Sequence, residues 1–270
     1  MKLPRLPRMP KLKLPSFERL ARIGLLGERR AIALVCLGFH ATLFFLIALS
    51  AKDQMPEWFP AFVAMALVYG TAFVSVAAEW FWGRWFATGL GYSGVSMTVM
   101  ALITQRALPT QLIVFGAMHG LIVVALWGER MAAIYDAKPE WRARFGISED
   151  GVVRIRKSVT RAASSLPAMI MFALAPRQSG HALFALALAG VTGLGLFGLV
   201  RGRSWGLAAF ATSLIGTALA LENVGISTMN VTALDYSSLF VLNEYGLLAM
   251  GALALALMPF ARPTVRYLSR

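Results

Sequence analysis

Residues 31–50 have the sequence AIALVCLGFHATLFFLIALS, an uncharged run that ends just before Lys52 and Asp53. A helix needs about 20 apolar residues to cross the roughly 30 Å hydrocarbon core of a bilayer, where only helices and closed barrels satisfy their backbone polar groups. We therefore predict that this stretch is a transmembrane helix.

Further stretches of the chain have the same character. They carry few or no charged residues and lie at 60–79, 85–104, 108–127, 181–200, 204–221 and 238–260. The stretch 162–176 has only about 14 apolar residues and contains Pro167, so we predict a short, broken span there. The predicted fold class is all-α, a polytopic helical membrane bundle of about eight transmembrane helices.

The composition of the whole chain also indicates a membrane protein. Of its 270 residues, 58% are hydrophobic and 14% are charged, whereas a soluble domain carries about 25% charged residues. The single cysteine, Cys36, excludes an intrachain disulfide. No recognised nucleic-acid motif accompanies the net charge of +13, so we expect lipid rather than nucleic acid as the partner of the basic residues.

The distribution of Lys and Arg predicts the topology. If all eight stretches cross the membrane and the N-terminus is inside, 23 of the 26 basic residues lie on the inner side. Cytoplasmic segments collect Lys and Arg, so both termini are predicted to be cytoplasmic, in a plasma membrane of the bacterial type. If 162–176 does not cross, Arg201, Arg203 and the C-terminal arginines move to the outer side.

This topology divides the chain into five segments. They are a basic, Pro-rich arm with an interfacial helix at 1–30, a four-helix half at 31–127, a cytoplasmic basic hairpin loop at 128–161, a second transmembrane half at 162–261 that includes the short span 162–176, and a cytoplasmic tail at 262–270.

Two of these segments are candidates for contacts outside the bundle. Prolines recur at every third position of the arm, which favours polyproline II and places Arg5, Arg8, Lys11 and Lys13 where anionic lipid headgroups can bind them. In the loop, Trp141 and Phe145 have helical spacing and Ser148 is a plausible N-cap. The loop is either a hairpin packed on the bundle or a docking site for a membrane or cytoplasmic protein partner.

Ionisable residues at membrane depth are costly and therefore indicate functional sites. His40 and His119 lie near the middle of their predicted spans at comparable depth, so they are candidates for neighbours. Glu244 lies about six residues into the last span. With Ser93, these residues are predicted to line a polar interior of a carrier, although two packed histidines with satisfied hydrogen bonds are the alternative.

A metal or haem site is another interpretation of these spans. Cys36 and His40 are four residues apart, and Met97 and Met100 are three apart, so each pair lies on one helical face. Thiolate, thioether and imidazole ligands favour copper(I) or haem iron, and His40 and His119 are candidate axial ligands of a haem.

The sequence Gly91-Tyr92-Ser93-Gly94, followed by His119 on a later span, resembles the serine and histidine pair of rhomboid proteases. The resemblance implies intramembrane hydrolysis with Ser93 and His119 as catalytic residues. It covers four residues and one histidine, and departs from the rhomboid pattern because here the two residues lie on consecutive spans, with the serine toward the cytoplasmic half.

Of these interpretations, we favour a carrier or channel-like protein for a small molecule or ion. An intramembrane enzyme with a serine or metal site is the second class, and a non-catalytic subunit that organises a membrane complex is the third. The sequence favours a non-enzymatic role and does not specify a cofactor.

Overall fold

The computed structural model describes residues 25–105, 110–136, 143, 146–174, 181–228 and 236–269. In this part of the chain the regular structure is helical throughout, apart from turns and bends, so the all-α prediction is confirmed. The helices are α1 Leu25–Gln54, α2 Phe59–Ala77, α3 Gly83–Gln105, α4 Thr110–Ala125, α5 Glu129–Tyr135, α6 Glu149–Leu174, α7 His181–Val200, α8 Trp205–Thr228 and α9 Tyr236–Leu268, with a 3-10 turn at Pro56–Trp58 before α2.

Among the described residues, four helices are long and apolar enough to cross a membrane: Leu26–Gln54, Pro56–Ala77, Gly83–Ile103 and Tyr245–Leu268. A fifth span results if α4 and α5, which are bent by 78° relative to one another, form one span. The apolar parts of α7 and α8, Leu186–Val200 and Trp205–Leu221, are shorter. The chain is therefore a helical membrane bundle with four to five candidate spans, and eight spans stay a prediction.

Within the described residues, the helices pack around one large core, with two smaller clusters of buried residues beside it. Helices α1 to α4 contact one another, helices α6 to α9 contact one another, and α3 packs along α6 to join the two groups. The core is continuous from α1 to α9, and its fully buried members include Leu37, Leu90, Leu126, Phe210 and Leu253. The bundle therefore buries side chains from both groups in a common interior.

Helix α6 differs from the predicted short span at 162–176. It is continuous from Glu149 to Leu174, so it crosses the predicted boundary between 161 and 162, and Pro167 lies inside it rather than at a break. The backbone amide of Gly151 donates to Ser148 Oγ at 3.2 Å, the hydrogen bond expected of an N-cap. The helix therefore begins in the predicted hairpin loop.

The position of α6 explains why its sequence contains only a short apolar stretch. Fourteen of its 26 residues are buried, and they are mostly small or aliphatic. A Cβ at Gly89 of α3 would lie 2.4 Å from the carbonyl oxygen of Thr160 and 2.5 Å from Ala163 Cβ, so α3 and α6 approach closely there. Because other helices surround it, α6 does not need the long apolar side chains of a lipid-facing helix.

Basic residues from several helices meet at one end of the bundle. In the first turns of α1, the Arg29 guanidinium donates to the carbonyl of Val124, in the last turn of α4, at 2.9 Å and to that of Trp127, two residues after α4 ends. Arg161 of α6 donates to the carbonyl of Leu255 in α9 at 2.5 Å. We call this end the basic end. The predicted arm with Arg5, Arg8, Lys11 and Lys13 and the turn at Trp141 and Phe145 lie outside the described residues.

Candidate functional site

Three helices bring two histidines and a tyrosine together in the interior of the first helix group. His40 lies in α1, Tyr69 in α2 and His119 in α4, and all three are buried. The ring centroids of His40 and His119 are 4.1 Å apart, and the His40 ring stacks on that of Tyr69 at 5.3 Å. We call these residues the histidine cluster.

The hydrogen bonds of His119 determine the tautomer of its neutral ring. Its Nδ1 lies 2.8 Å from the Phe115 carbonyl oxygen, which only accepts, so Nδ1 carries a hydrogen. In the neutral ring Nε2 is then an acceptor, and it lies 2.6 Å from the Tyr69 hydroxyl, which donates to it. Both ring nitrogens of a neutral His119 are therefore occupied.

One ring nitrogen of His40 has no hydrogen-bond partner within the described part of the chain. Its Nδ1 donates to the Cys36 carbonyl oxygen at 2.7 Å. The same tautomer argument makes Nε2 an acceptor, and this buried atom has no hydrogen-bond partner among the residues that the structure describes. An unsatisfied buried polar atom costs about 1–3 kcal/mol, so such atoms are uncommon in folded proteins and often mark a functional site.

Glycines of α3 make room for the cluster. A Cβ built on Gly94 would lie 2.1 Å from Cγ and Cδ2 of the His119 ring, which leaves no space for any side chain. A Cβ on Gly91 would lie 2.6 Å from Val123 Cγ2 and 3.0 Å from the His119 carbonyl oxygen. The two glycines of the Gly-Tyr-Ser-Gly motif therefore allow α3 and α4 to pack closely around His119.

The same motif does not form a serine and histidine pair in this structure. The hydroxyl of Ser93 donates to Met97 Sδ at 3.7 Å. His119 has no free nitrogen to accept the serine proton, because Phe115 and Tyr69 occupy both. The motif serves helix packing here, and the arrangement lacks the hydrogen bond from nucleophile to base that hydrolysis requires.

The other predicted ligands do not gather into a metal site within the described residues. That part of the chain contains no group of three or more His, Cys, Asp or Glu residues able to hold a metal ion. The backbone carbonyl of Cys36 binds His40, while Met97 accepts from Ser93. The side chain of Glu244 lies outside the part that the structure describes, and Met100 is half-buried in α3.

A haem does not fit between the two histidines as they are placed. A porphyrin and its iron would have to lie between two axial rings, whereas the rings of His40 and His119 are in direct contact at 4.1 Å between centroids. Tyr69 also occupies the His119 nitrogen that faces away from the backbone. The residues present therefore do not suit a haem with two axial histidines.

A second polar cluster lies at the basic end and centres on Asp136. Its carboxylate accepts from Arg84 Nη2 at 2.5 Å and from the Trp85 indole at 2.9 Å. The guanidinium of Arg156 in α6 lies 3.4 Å from the same carboxylate. Since Arg84 and Asp136 are both largely buried, the ion pair ties the residue after α5 to α3 in a region of reduced solvation.

The connection between α2 and α3 is held by a neighbouring ion pair. Arg30 of α1 donates to Glu79 Oε1 and to the Ala77 carbonyl, both at 2.6 Å. Glu79 has a φ of 54°, in the left-handed region that few non-glycine residues adopt. The Tyr135 hydroxyl donates to the Val76 carbonyl at 3.2 Å. Helices α1, α2 and α5 are thus joined at the same end.

No protein family, curated protein or solved structure matches this chain. Its function is therefore inferred from the geometry of the two polar clusters.

The sequence identified the two histidines of the cluster but not their partner. His40 and His119 stood out because ionisable residues are rare in apolar spans. Tyr69 carried no such signal, since tyrosine is common in membrane helices, and only the packing of α2 against α1 shows its role. Asp136 and Arg84 were also missed. The available signal was one of the two aspartates within a basic loop and an arginine that follows two tryptophans, Trp80 and Trp82.

Proposed function

We propose that this membrane protein is a carrier or channel-like protein whose transported ion is a proton, and that His40 is the residue that takes it up. The observation that carries the proposal is the buried His40 Nε2, an acceptor with no hydrogen-bond partner among the described residues. Chains of ionisable residues at membrane depth are typical of proton relays.

The proton balance at the site is simple. A proton from one side of the membrane binds the lone pair of His40 Nε2, while Nδ1–H keeps its hydrogen bond to the Cys36 carbonyl. The ring becomes an imidazolium, and its charge lies against the Tyr69 ring at 5.3 Å and the Phe115 ring at 5.3 Å. Aromatic faces attract cations by about 0.5–2 kcal/mol. Release of the same proton to the opposite side restores neutral His40.

His119 and Tyr69 position His40 in this proposal. The hydrogen bond between them fixes the position of the His119 ring, and in the neutral ring the Tyr69 hydroxyl occupies the Nε2 lone pair, which leaves His40 Nε2 as the open acceptor for the proton. Its ring edge is packed against His40 at 4.1 Å between centroids. A neutral neighbour is needed, because a second positive charge at this distance would oppose uptake by His40.

The proposed setting is a plasma membrane of the bacterial type with both chain ends in the cytoplasm. The convergence of Arg29, Arg30, Arg84 and Arg161 at one end of the bundle supports this orientation, because cytoplasmic surfaces collect Arg and Lys. Thiol labelling of two single-cysteine variants, Gly151→Cys and Glu57→Cys, each in a Cys36→Ala background, tests this orientation. The orientation predicts labelling of residue 57 from the outer face and of residue 151 only after permeabilisation, and the reverse pattern would exclude it.

Proton flux into liposomes tests the function. The purified protein is reconstituted with a pH-sensitive dye inside, and a potassium gradient with valinomycin drives proton entry. We expect flux above that of protein-free liposomes, and its loss in His40→Gln. The matched control is His181→Gln, at the start of α7 and outside the cluster, which should retain the flux.

Two results would exclude the proposal. One is wild-type flux equal to that of empty liposomes, and the other is full flux in His40→Gln. Size-exclusion chromatography and thermal unfolding of each variant show whether a loss of flux reflects the site or a loss of folding.

A further inference from the structure

A cavity of about 500 Å³ opens at the basic end, between the start of α3, the bend from α4 to α5, and α6. Its wall includes Arg84, Arg156, Lys157 and Arg161, whereas Glu129 is the only acidic residue among the described residues that line it. None of His40, Tyr69 and His119 lines this cavity, and the charges of the described residues along its wall are mainly positive.

The positive charge of this cavity is only partly neutralised. Asp136 is already bound to Arg84 at 2.5 Å, and Arg156 lies farther away, at 3.4 Å from the same carboxylate. Arg161 donates to the Leu255 carbonyl, which satisfies a hydrogen bond without cancelling the charge. Lys157 is exposed and makes no ion pair with any residue that the structure describes. Glu129 cannot balance Arg156, Lys157 and Arg161 together.

The cavity has walls that belong to fixed parts of the fold. Arg84 is held by Asp136 and by the Leu126 carbonyl at 3.3 Å, so this side of the cavity is preorganised. The close approach of α3 and α6 at Gly89 sets the distance between Arg84 and the basic residues of α6. A preorganised group of cations with the guanidinium fork of arginine suits the oxygens of a phosphate.

Apolar side chains surround the cavity as at a membrane interface. Trp85, Tyr92 and Trp127 line it, and Trp127 is 60% exposed. Tryptophan and tyrosine are enriched where headgroups meet the hydrocarbon core. On the outer surface of α4, Leu121 is exposed about two turns before the bend and Val124 about one turn before it, where acyl chains would run beside them.

We infer that this cavity binds the phosphate group of an anionic lipid, with Arg156, Lys157 and Arg161 as its cationic contacts. The headgroup phosphate enters between α3 and α6, and the acyl chains lie along the exposed apolar face of α4. Basic pockets between membrane helices are suited to such headgroups. This binding site is independent of the proposed proton path.

Lipid titration of the purified full-length protein in detergent tests this inference. Native mass spectrometry counts bound phosphatidylglycerol and, in a parallel series, bound phosphatidylcholine. We expect the wild-type protein to prefer phosphatidylglycerol by about tenfold or more, because each basic residue near an anionic surface contributes on the order of one kcal/mol and tenfold corresponds to about 1.4 kcal/mol.

Variants locate the site. Arg156→Gln with Lys157→Gln should remove most of this preference, and Lys157→Gln alone should reduce it without disturbing the packing, because Lys157 is exposed. The matched control is Arg201→Gln with Arg203→Gln, which removes the same charge from the connection between α7 and α8 and should keep the preference. Equal loss in both double variants would show a general charge effect and exclude the site.

A second series distinguishes the source of the phosphate. Glycerol 3-phosphate and inorganic phosphate are added as competitors at fixed phosphatidylglycerol. Failure of both to displace the lipid supports a lipid headgroup. The opposite result is that either competitor displaces the lipid at a concentration comparable to that of the lipid, and that Lys157→Gln weakens this displacement. That result supports the phosphate site, but it assigns the site to a soluble phosphate compound and overturns the lipid assignment. Equal binding of the two phospholipids, or wild-type preference in the Arg156 and Lys157 double variant, overturns the inference as a whole.

Discussion

The hydroxyl of Tyr69 donates to Nε2 of His119 across 2.6 Å, so α2 and α4 are linked by a polar contact within the buried interior of the bundle. This contact fixes the His119 tautomer, and it leaves the neighbouring His40 as the ring with an open acceptor. The first two predictions separate these roles.

Tyr69→Phe should destabilise the protein while it keeps the packing of the ring. The variant leaves His119 Nε2 buried without a donor, which costs about 1–3 kcal/mol. Thermal unfolding in detergent measures the effect, with Tyr92→Phe as the control because Tyr92 is 37% exposed. An equal change in the two variants would show that the hydrogen bond to His119 does not stabilise the fold.

Unlike Tyr69→Phe, the variant His40→Leu should not destabilise the protein, but it should abolish the proton flux. It removes an acceptor that has no partner among the described residues and replaces it with an apolar side chain, so the midpoint of thermal unfolding should stay unchanged or rise. Proton flux, in contrast, should be lost. A stable variant without flux fits a residue that is retained for function at the expense of stability. Strong destabilisation would indicate instead that His40 serves packing.

Gly94→Ala should be strongly destabilising. The added Cβ would lie 2.1 Å from the His119 ring, so α3 and α4 must separate or the ring must move. Overpacking of this kind typically costs about 1–3 kcal/mol. Gly120→Ala in α4 is the control, because nothing lies within 4 Å of the Cβ that it adds. Unchanged stability of Gly94→Ala would contradict the close packing described for these helices.

Asp136→Asn should disrupt the basic end. It removes the carboxylate that binds Arg84 at 2.5 Å, and loss of one partner from a buried ion pair costs about 3–5 kcal/mol. Asp53→Asn, at the exposed end of α1, is the control with the same chemical change. Thermal unfolding measures both variants. Limited proteolysis at the bend between α4 and α5 provides a local readout, and equal stability of the two variants would mean that the Asp136 pair is dispensable.

The helix content was predictable because each helix leaves a local signature. The apolar runs at 31–50 and 60–79 lie within Leu25–Gln54 and largely within Phe59–Ala77. The run at 162–176 misled, because a helix buried among other helices is not selected for lipid solubility. The small and polar residues of α6, including Ser158 before this run and Ser165 within it, are buried by protein.

The sites were predictable only in part. The rarity of histidine in apolar spans indicated His40 and His119 as candidates, and comparable depth was a sufficient reason to consider them neighbours. The partners of these residues were not predictable, because Tyr69 is 50 positions from His119 and Asp136 is 52 positions from Arg84 along the chain. No local pattern encodes contacts across such separations.

By itself the sequence determined that this chain is helical and belongs in a membrane, because the hydrophobic effect and backbone hydrogen bonding act on each segment separately. The tertiary structure alone decided which histidine nitrogen lacks a partner among the described residues and which arginines share a cavity. Those properties depend on how helices pack side by side. That packing is set by shape, through residues such as Gly89 and Gly94, and not by composition.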